Sequence, residues 1–194
     1  MNFKKQFFSI ISIIFDFYIL APLIFIIFII NLHLNSITII YATLYFFVSF
    51  ITFLVIKYLK KGKGSDFISI NIEDGNRVST SFYFSAWILF IIVFLAIIDS
   101  NRIFLSFLEM FFVIMFFASI ISVFWRISYH SILSTSFTLI LIYFYGYIGM
   151  LFIIALALVW YSRFYLRKHS IKQLVAGSLL VLVTFFVFLY LHLL

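Results

Sequence analysis

The chain has 194 residues, of which 66% are hydrophobic and only 10% charged, and such a composition leaves too little polar surface for a soluble fold. The chain has no cysteine, which excludes disulfides, thiolate chemistry and zinc–thiolate sites. Its net charge of +7 fits topology signals and anionic lipid head groups better than nucleic acid, because no soluble part is left to carry a nucleic-acid surface.

Several apolar stretches are long enough to cross a hydrocarbon core, which takes about 20 helical residues. The first follows the basic start MNFKK and is too long for a signal peptide, so we expect it to remain as an uncleaved span. We therefore predict an all-α fold: one integral membrane domain over residues 1–194, built as a polytopic bundle of six to seven transmembrane helices. The predicted spans are 9–31, 37–56, 82–98, 103–124, 130–146, 148–166 and 174–193, with a polar loop at 57–81.

The distribution of Lys and Arg predicts the orientation of these spans. Of the 13 basic residues, all but Arg102 fall on one side of the predicted bundle. Three of these basic residues, Arg77, Arg126 and Arg163, are candidates for a site. Without them, nine basic residues lie on one side of the bundle and one lies on the other. Since cytoplasmic loops carry the excess of positive charge, we expect the basic side to face the cytoplasm of a bacterial or archaeal-type cell.

Two histidines and several arginines are predicted to meet on that basic side. His130 begins the fifth span and His169 follows the sixth, so antiparallel helices of similar length bring both to one membrane face. Arg126, Arg163 and the loop residue Arg77 reach the same face. Guanidinium groups match phosphate oxygens, and a histidine can attack phosphorus or transfer a proton near neutral pH. This combination favours phosphoryl transfer without a metal or another cofactor.

Gln173 is a candidate partner for His169. The spacing of four residues places both side chains on one helix face if the last helix begins at His169. The Gln173 side-chain oxygen would then accept a hydrogen bond from one ring N–H and orient the other ring nitrogen toward substrate. Gly177, one turn further on, is expected to allow close packing of a neighbouring helix.

The segment SRFYLRKH at 162–169 has the pattern Ser-Arg-x5-His. It resembles the third motif of the type 2 phosphatidic acid phosphatase superfamily, whose members cleave lipid phosphates and prenyl diphosphates. The continuation SIKQLVAG is similar to a variant of that motif in which a Gln, here Gln173, replaces an Asp.

Two further segments extend the resemblance. RISYHS at 126–131 is similar to the second motif, Pro-Ser-Gly-His, because Ser128 and His130 match it. IEDGNRVST at 72–80 matches the first motif only at Arg77, since Ile70 stands where that motif has a Lys. The resemblance covers residues 57 to 190.

The resemblance implies a membrane phosphatase that hydrolyses a lipid or polyprenyl phosphate or diphosphate through a phosphohistidine intermediate. His169 would be the nucleophile, and His130 the acid that protonates the leaving group. Arg126 would replace the missing Lys of the first motif. The side chains implied to bind the phosphate are those of Arg163, Arg77, Arg126 and Ser128.

Other functions remain open. A non-catalytic relative that binds lipid head groups or scaffolds membrane proteins is the alternative, because a Gln supports a cationic histidine less than a carboxylate does. A transporter is disfavoured, since the polar residues gather at one face and not at the midplane. A Mg²⁺ site at Asp66, Glu73 and Asp74 is also disfavoured, because no Gly-rich phosphate loop accompanies it.

Overall fold

The structure is a computed structural model that describes residues 3–59, 74–98, 101–191 and 193–194. It gives only the backbone path at residues 17, 18, 46, 49, 50, 52–59 and 74–80. The described residues contain helices and no strand, so the all-α prediction is confirmed for them. The helices are α1 (Phe3–Ile14), α2 (Phe17–Leu32), α3 (Ser36–Leu59), α4 (Asp74–Ile97), α5 (Arg102–Phe124), α6 (Tyr129–Tyr145), α7 (Tyr147–Met150), α8 (Phe152–Tyr165) and α9 (Ile171–Tyr190).

Several of these helices are long and apolar enough to cross a membrane, as expected of an integral membrane protein. Among the described residues, three stretches meet this condition by length and composition: Arg102–Phe124, Tyr147–Tyr165 and Ile171–Tyr190. Helices α1 and α2 add a fourth if they form one span bent by 42°. The predicted number of six to seven spans is therefore not confirmed. Helix α6, with 17 residues, is a short helix whose hydroxyl side chains lower its hydropathy.

The structure corrects the ends of two predicted segments. Both ends of the predicted polar loop 57–81 are helical, because polar residues extend α3 to Leu59 and begin α4 at Asp74. The middle of that loop, with Asp66 and Glu73, lies outside the described residues. The first predicted span is divided at Asp16, whose backbone carbonyl accepts the N–H groups of Ile19 and Leu20 and so begins α2.

Helices α4 and α5 form an antiparallel hairpin that places Arg77. Ser85 Oγ lies 3.5 Å from Ser119 Oγ, which sets the register of the two helices. Arg77 precedes Ser85 by eight residues on α4, so its backbone lies about 12 Å further toward the end of the bundle where α5 finishes. Arg77 is therefore in a helix and not in the predicted loop, at the same end as Arg126.

The apolar core extends along the bundle between α2, α5, α6 and α9, and a cluster of aromatic rings lies toward the end opposite Arg126. The ring of Phe28 is 4.9 Å from that of Phe107 and 5.5 Å from that of Phe104. Phe107 and Met110 are completely buried. At this end Asn31 Nδ2 donates to Tyr145 Oη at 2.8 Å, which ties α2 to α6.

Helix α6 packs between α9, α8 and α2, and two of its buried hydroxyls, those of Ser131 and Thr135, bond to α9. Ser131 Oγ donates to the Leu174 carbonyl at 2.7 Å. Ser178 Oγ lies 2.8 Å from Ser131 Oγ and 2.6 Å from Thr135 Oγ1. These groups are satisfied within the bundle, which is what makes polar side chains tolerable between helices in a membrane.

The two ends of the bundle differ in charge. We call one the basic end: it holds the N-terminal ends of α1, α4, α6 and α9 and the C-terminal ends of α5 and α8. The opposite end has the ion pair of Arg102 Nη1 with Glu109 Oε1 at 3.7 Å. The basic side chains that the structure describes at the basic end are Lys4, Lys5, Arg126, Arg163, Arg167, Lys168 and Lys172.

Candidate functional site

The starts of α6 and α9 meet at the basic end. Ser128 is the N-cap of α6, and its backbone N–H donates to the Gln173 carbonyl of α9 at 3.4 Å. Gly177, one turn further along α9, faces the same place: a Cβ atom there would lie 2.8 Å from the Ser128 carbonyl oxygen. Only glycine fits so close an approach, so the expectation of close packing at Gly177 is confirmed.

Each of these two helix starts carries a histidine. His130 is the second residue of α6 and is half-buried, and its carbonyl accepts from Ser134 Oγ at 2.7 Å. His169 immediately precedes Ser170, the N-cap of α9, and only 9% of it is exposed. The bond between Ser128 and Gln173 thus brings the backbone positions of both histidines to one place at the basic end. Both helices also direct the positive end of their dipoles there.

Gln173 caps the start of α9. Helix α9 begins at Ile171, so His169 lies outside it and shares no helix face with Gln173. The Gln173 Oε1 atom accepts from the Ser170 backbone N–H at 2.9 Å, while Ser170 Oγ accepts from the Gln173 N–H at 3.4 Å. This reciprocal pair is a capping box, and its sequence signal is Ser-x-x-Gln ahead of an apolar run. That signal was present in the sequence, and the pairing of Gln173 with His169 stays a prediction.

Arg163 ties α8 to α1. It lies half-buried in the last turn of α8, where its Nη1 donates to Ser12 Oγ at 2.7 Å. The neighbouring Ser162 Oγ donates to the Phe8 carbonyl at 2.7 Å. Sequence reasoning missed Ser12 and Phe8, because nothing local in α1 shows that it packs on α8. A guanidinium has five N–H donors, so a contact with Ser12 leaves it able to bind an anion as well.

The remaining predicted phosphate-binding residues lie at the same end of the bundle. Arg126 is exposed in the link between α5 and α6. Ser128 is fully buried and its Oγ accepts from the Ser131 N–H at 3.4 Å, which leaves its O–H as a donor. Arg77 lies on α4, and its side chain is outside the described residues.

The turn from α8 into α9 holds Arg167 in a left-handed conformation with φ of +52°. The Arg167 N–H donates to the Phe164 carbonyl at 2.9 Å, and the Lys168 N–H donates to the Arg163 carbonyl at 3.0 Å. These two bonds form the Schellman motif, in which glycine is the usual residue at the position of Arg167. The backbone on the N-terminal side of His169 is therefore as tightly bonded as the capping box on its C-terminal side.

Replacing Arg167 should change stability according to the backbone alone. We expect Arg167→Gly to be at least as stable as the wild type, and Arg167→Val to lose about 1 kcal/mol or more, because a β-branched residue is strained at positive φ. Unfolding of the purified protein in mixed detergent micelles measures this. Lys168→Val, at the next position, is the control and should change stability less. If the Arg167→Gly protein is less stable than the Arg167→Val protein, the backbone at residue 167 is not strained in the way described.

An open cleft of about 660 Å³ lies beside this turn. The residues that line it are Tyr161, Phe164, Tyr165, Arg167, Lys168, His169, Ser170 and Gln173. His169 is the least exposed of them, so the cleft leads from the surface to the buried histidine. The ring of Phe8 on α1 lies 5.0 Å from that of Tyr161 and 4.8 Å from that of Tyr165, so α1 packs against the two tyrosines of the cleft.

Comparison of the chain with protein-family models, curated proteins and solved structures finds no match. The resemblance to the type 2 phosphatidic acid phosphatase superfamily therefore depends on the three short segments alone. The geometry adds an independent consideration, since it brings the helix starts that carry His130 and His169 to one end of the bundle.

Proposed function

We propose that this protein is a membrane phosphatase that hydrolyses a lipid or polyprenyl phosphate or diphosphate through a phosphohistidine. The observation that carries the proposal is the bond from the Ser128 N–H to the Gln173 carbonyl, which joins the helix starts that bear His130 and His169. Two positive helix ends, with several arginines at the same end of the bundle, favour a phosphate group there. The proposed reaction uses only histidine and arginine side chains, and it needs neither a metal ion nor a nucleotide.

In the proposed reaction a ring nitrogen of His169 attacks phosphorus, and the bond from phosphorus to the leaving oxygen breaks. His130, as its imidazolium, gives a proton to the departing alcohol or phosphate. Water then attacks the phosphohistidine while neutral His130 takes the water proton. This second step releases inorganic phosphate and restores both histidines. Arg163, Arg77 and Arg126 would stabilise the charge on the phosphoryl oxygens.

The position of His169 is set by the backbone in this proposal. The Schellman motif ends α8 at Tyr165, four residues before His169, and the capping box of Ser170 and Gln173 begins α9 directly after His169. A nucleophile held between two such bonded turns needs little reorganisation to meet phosphorus. Gln173 thus supports His169 indirectly, by fixing the start of α9.

We also propose that the basic end faces the cytoplasm of a bacterial or archaeal-type cell. Of the described Lys and Arg side chains, Arg102 alone lies at the opposite end. The positive-inside rule relates such an asymmetry to orientation. The substrate would then be a lipid of the cytoplasmic leaflet.

The purified protein should release inorganic phosphate from lipid phosphates in detergent. We expect turnover of a phosphatidic acid or of a prenyl phosphate or diphosphate, and an unchanged rate in the presence of a chelator, because the histidines and arginines supply the chemistry. Colorimetric phosphate assay over such a panel measures this. Absence of release from every lipid, or loss of activity on chelation, would contradict the proposal.

The second candidate is a non-catalytic protein that binds lipid head groups. The amide at position 173 favours it, because a Gln supports a cationic histidine less than the Asp of the resembled motif would, and its Oε1 already accepts from the Ser170 N–H. Such a protein would bind the same lipid phosphates without releasing phosphate. The assay above separates the two functions.

A further inference from the structure

We infer that the cleft between α8 and α9 is a docking site for the phosphate head group of a membrane lipid, and that Arg167 and Lys168 hold the phosphate. The predicted phosphatase site assigns no role to these two residues, which lie between the Arg and the His of the Ser-Arg-x5-His segment. The inference deepens the proposed function, since the cleft leads to His169, but binding in the cleft does not require hydrolysis.

One side of the cleft is cationic. Arg167 and Lys168 are both exposed, and both line it beside the first turn of α9. A guanidinium presents planar paired donors to phosphate, and an ammonium adds a mobile positive charge. At about 660 Å³, the cleft has room for a phosphate together with the glycerol or the first isoprene unit attached to it.

The other side of the cleft is aromatic. Tyr161 and Tyr165 stack with ring centroids 6.1 Å apart, and Phe164 lines the cleft beside them. Tyrosines near a helix end that passes through the membrane interface suit the boundary between a polar head group and its hydrocarbon chain. A free phosphate ion would use only the cationic side. A lipid phosphate would use both sides, so we commit to a lipid as the occupant.

The backbone at Arg167 is an independent observation. Its φ of +52° is a conformation that glycine adopts without strain, and an arginine there costs stability. Backbone outliers of this kind cluster at functional sites. Arg167 lines the cleft, so its left-handed backbone lies where the proposal places the phosphate contact.

Binding of a non-hydrolysable lipid tests the inference directly. The probe is a dialkyl phosphonate analogue of a phosphatidic acid, titrated into the full-length protein in phosphatidylcholine nanodiscs. The double variant Arg167→Asn, Lys168→Gln removes both charges, and its Asn tolerates positive φ. We expect about a tenfold or greater loss of phosphonate affinity, because two charge-assisted contacts are removed. Tyr165→Leu should weaken the lipid phosphonate while leaving inorganic phosphate binding unchanged.

Lys172→Gln is the matched control, since Lys172 is an exposed cation in the first turn of α9 that does not line this cleft. It should keep affinity within about twofold, as expected for screened long-range charge alone. Equal losses in the control and the double variant, or wild-type binding of inorganic phosphate as tight as that of the lipid, would overturn the inference. Phosphonate binding that the double variant weakens, in a protein that releases no phosphate, would support the docking site and refute the phosphatase. If the wild type turns over lipid phosphate and the double variant binds the phosphonate as tightly as the wild type, the phosphatase is supported and the docking site is refuted.

Discussion

We expect turnover of a lipid phosphate to fall at least about a thousandfold when His169 is replaced with asparagine, because the proposed reaction then has no nucleophile. Asparagine is polar and smaller than histidine, so it should leave the bonded turns on either side of residue 169 in place. Phosphate release under saturating substrate gives the rate. Acid-labile labelling of the wild-type protein by a radioactive lipid phosphate, absent in His169→Asn, reports the covalent intermediate.

His33→Asn is the matched control for this experiment. His33 lies at the end of α2 near the opposite end of the bundle, and its φ of +47° suits asparagine. Its turnover should remain within about twofold of the wild type, as expected for a surface change away from the site. Full activity of a correctly folded His169→Asn protein would refute the phosphohistidine mechanism.

Replacing Gly177 with valine should lower both stability and turnover. The Cβ of any larger residue would lie 2.8 Å from the Ser128 carbonyl oxygen and 3.1 Å from Ser131 Cβ, so α6 and α9 must separate. Overpacking of this kind costs about 1–3 kcal/mol, and a shift of about 1 Å between two catalytic groups can reduce the rate about a hundredfold. Detergent unfolding and phosphate release measure the two effects on the same preparation.

Ala157→Val adds the same two methyl groups on the exposed surface of α8 and serves as the control. It should leave both measurements near those of the wild type. Gly177→Ala, a smaller change, should give an intermediate effect. A Gly177→Val protein with wild-type stability and turnover would mean that α6 and α9 do not approach as closely as described, and that the joined helix starts are not the site.

The sequence was sufficient to predict that the described residues are helical, because apolar stretches of helical length have few other structures in a membrane. It also placed His130 and His169 near two helix ends. The polar loop was predicted too long, since helices α3 and α4 continue beyond their apolar parts. Hydropathy alone does not record where a polar turn of helix stops.

The details of the candidate site depended on contacts that spacing does not determine. Gln173 lies four residues after His169, but the spacing becomes a shared face only if the helix begins early enough. Ser170 sets that start through its cap. The contact of Arg163 with Ser12 joins distant parts of the chain, and no local pattern of hydrophobicity predicts such a partner.

The pairing of α1 with α8 makes the order of synthesis important. Ser12 and Arg163 are 151 residues apart in the chain, and Phe8 and Ser162 are 154 apart. At about 5–20 residues per second, α1 leaves the ribosome roughly ten to thirty seconds before the arginine that anchors it. During that interval α1 must rest at the membrane surface or against a temporary neighbour. The contact of Phe8 with the two tyrosines of the cleft therefore forms only near the end of translation.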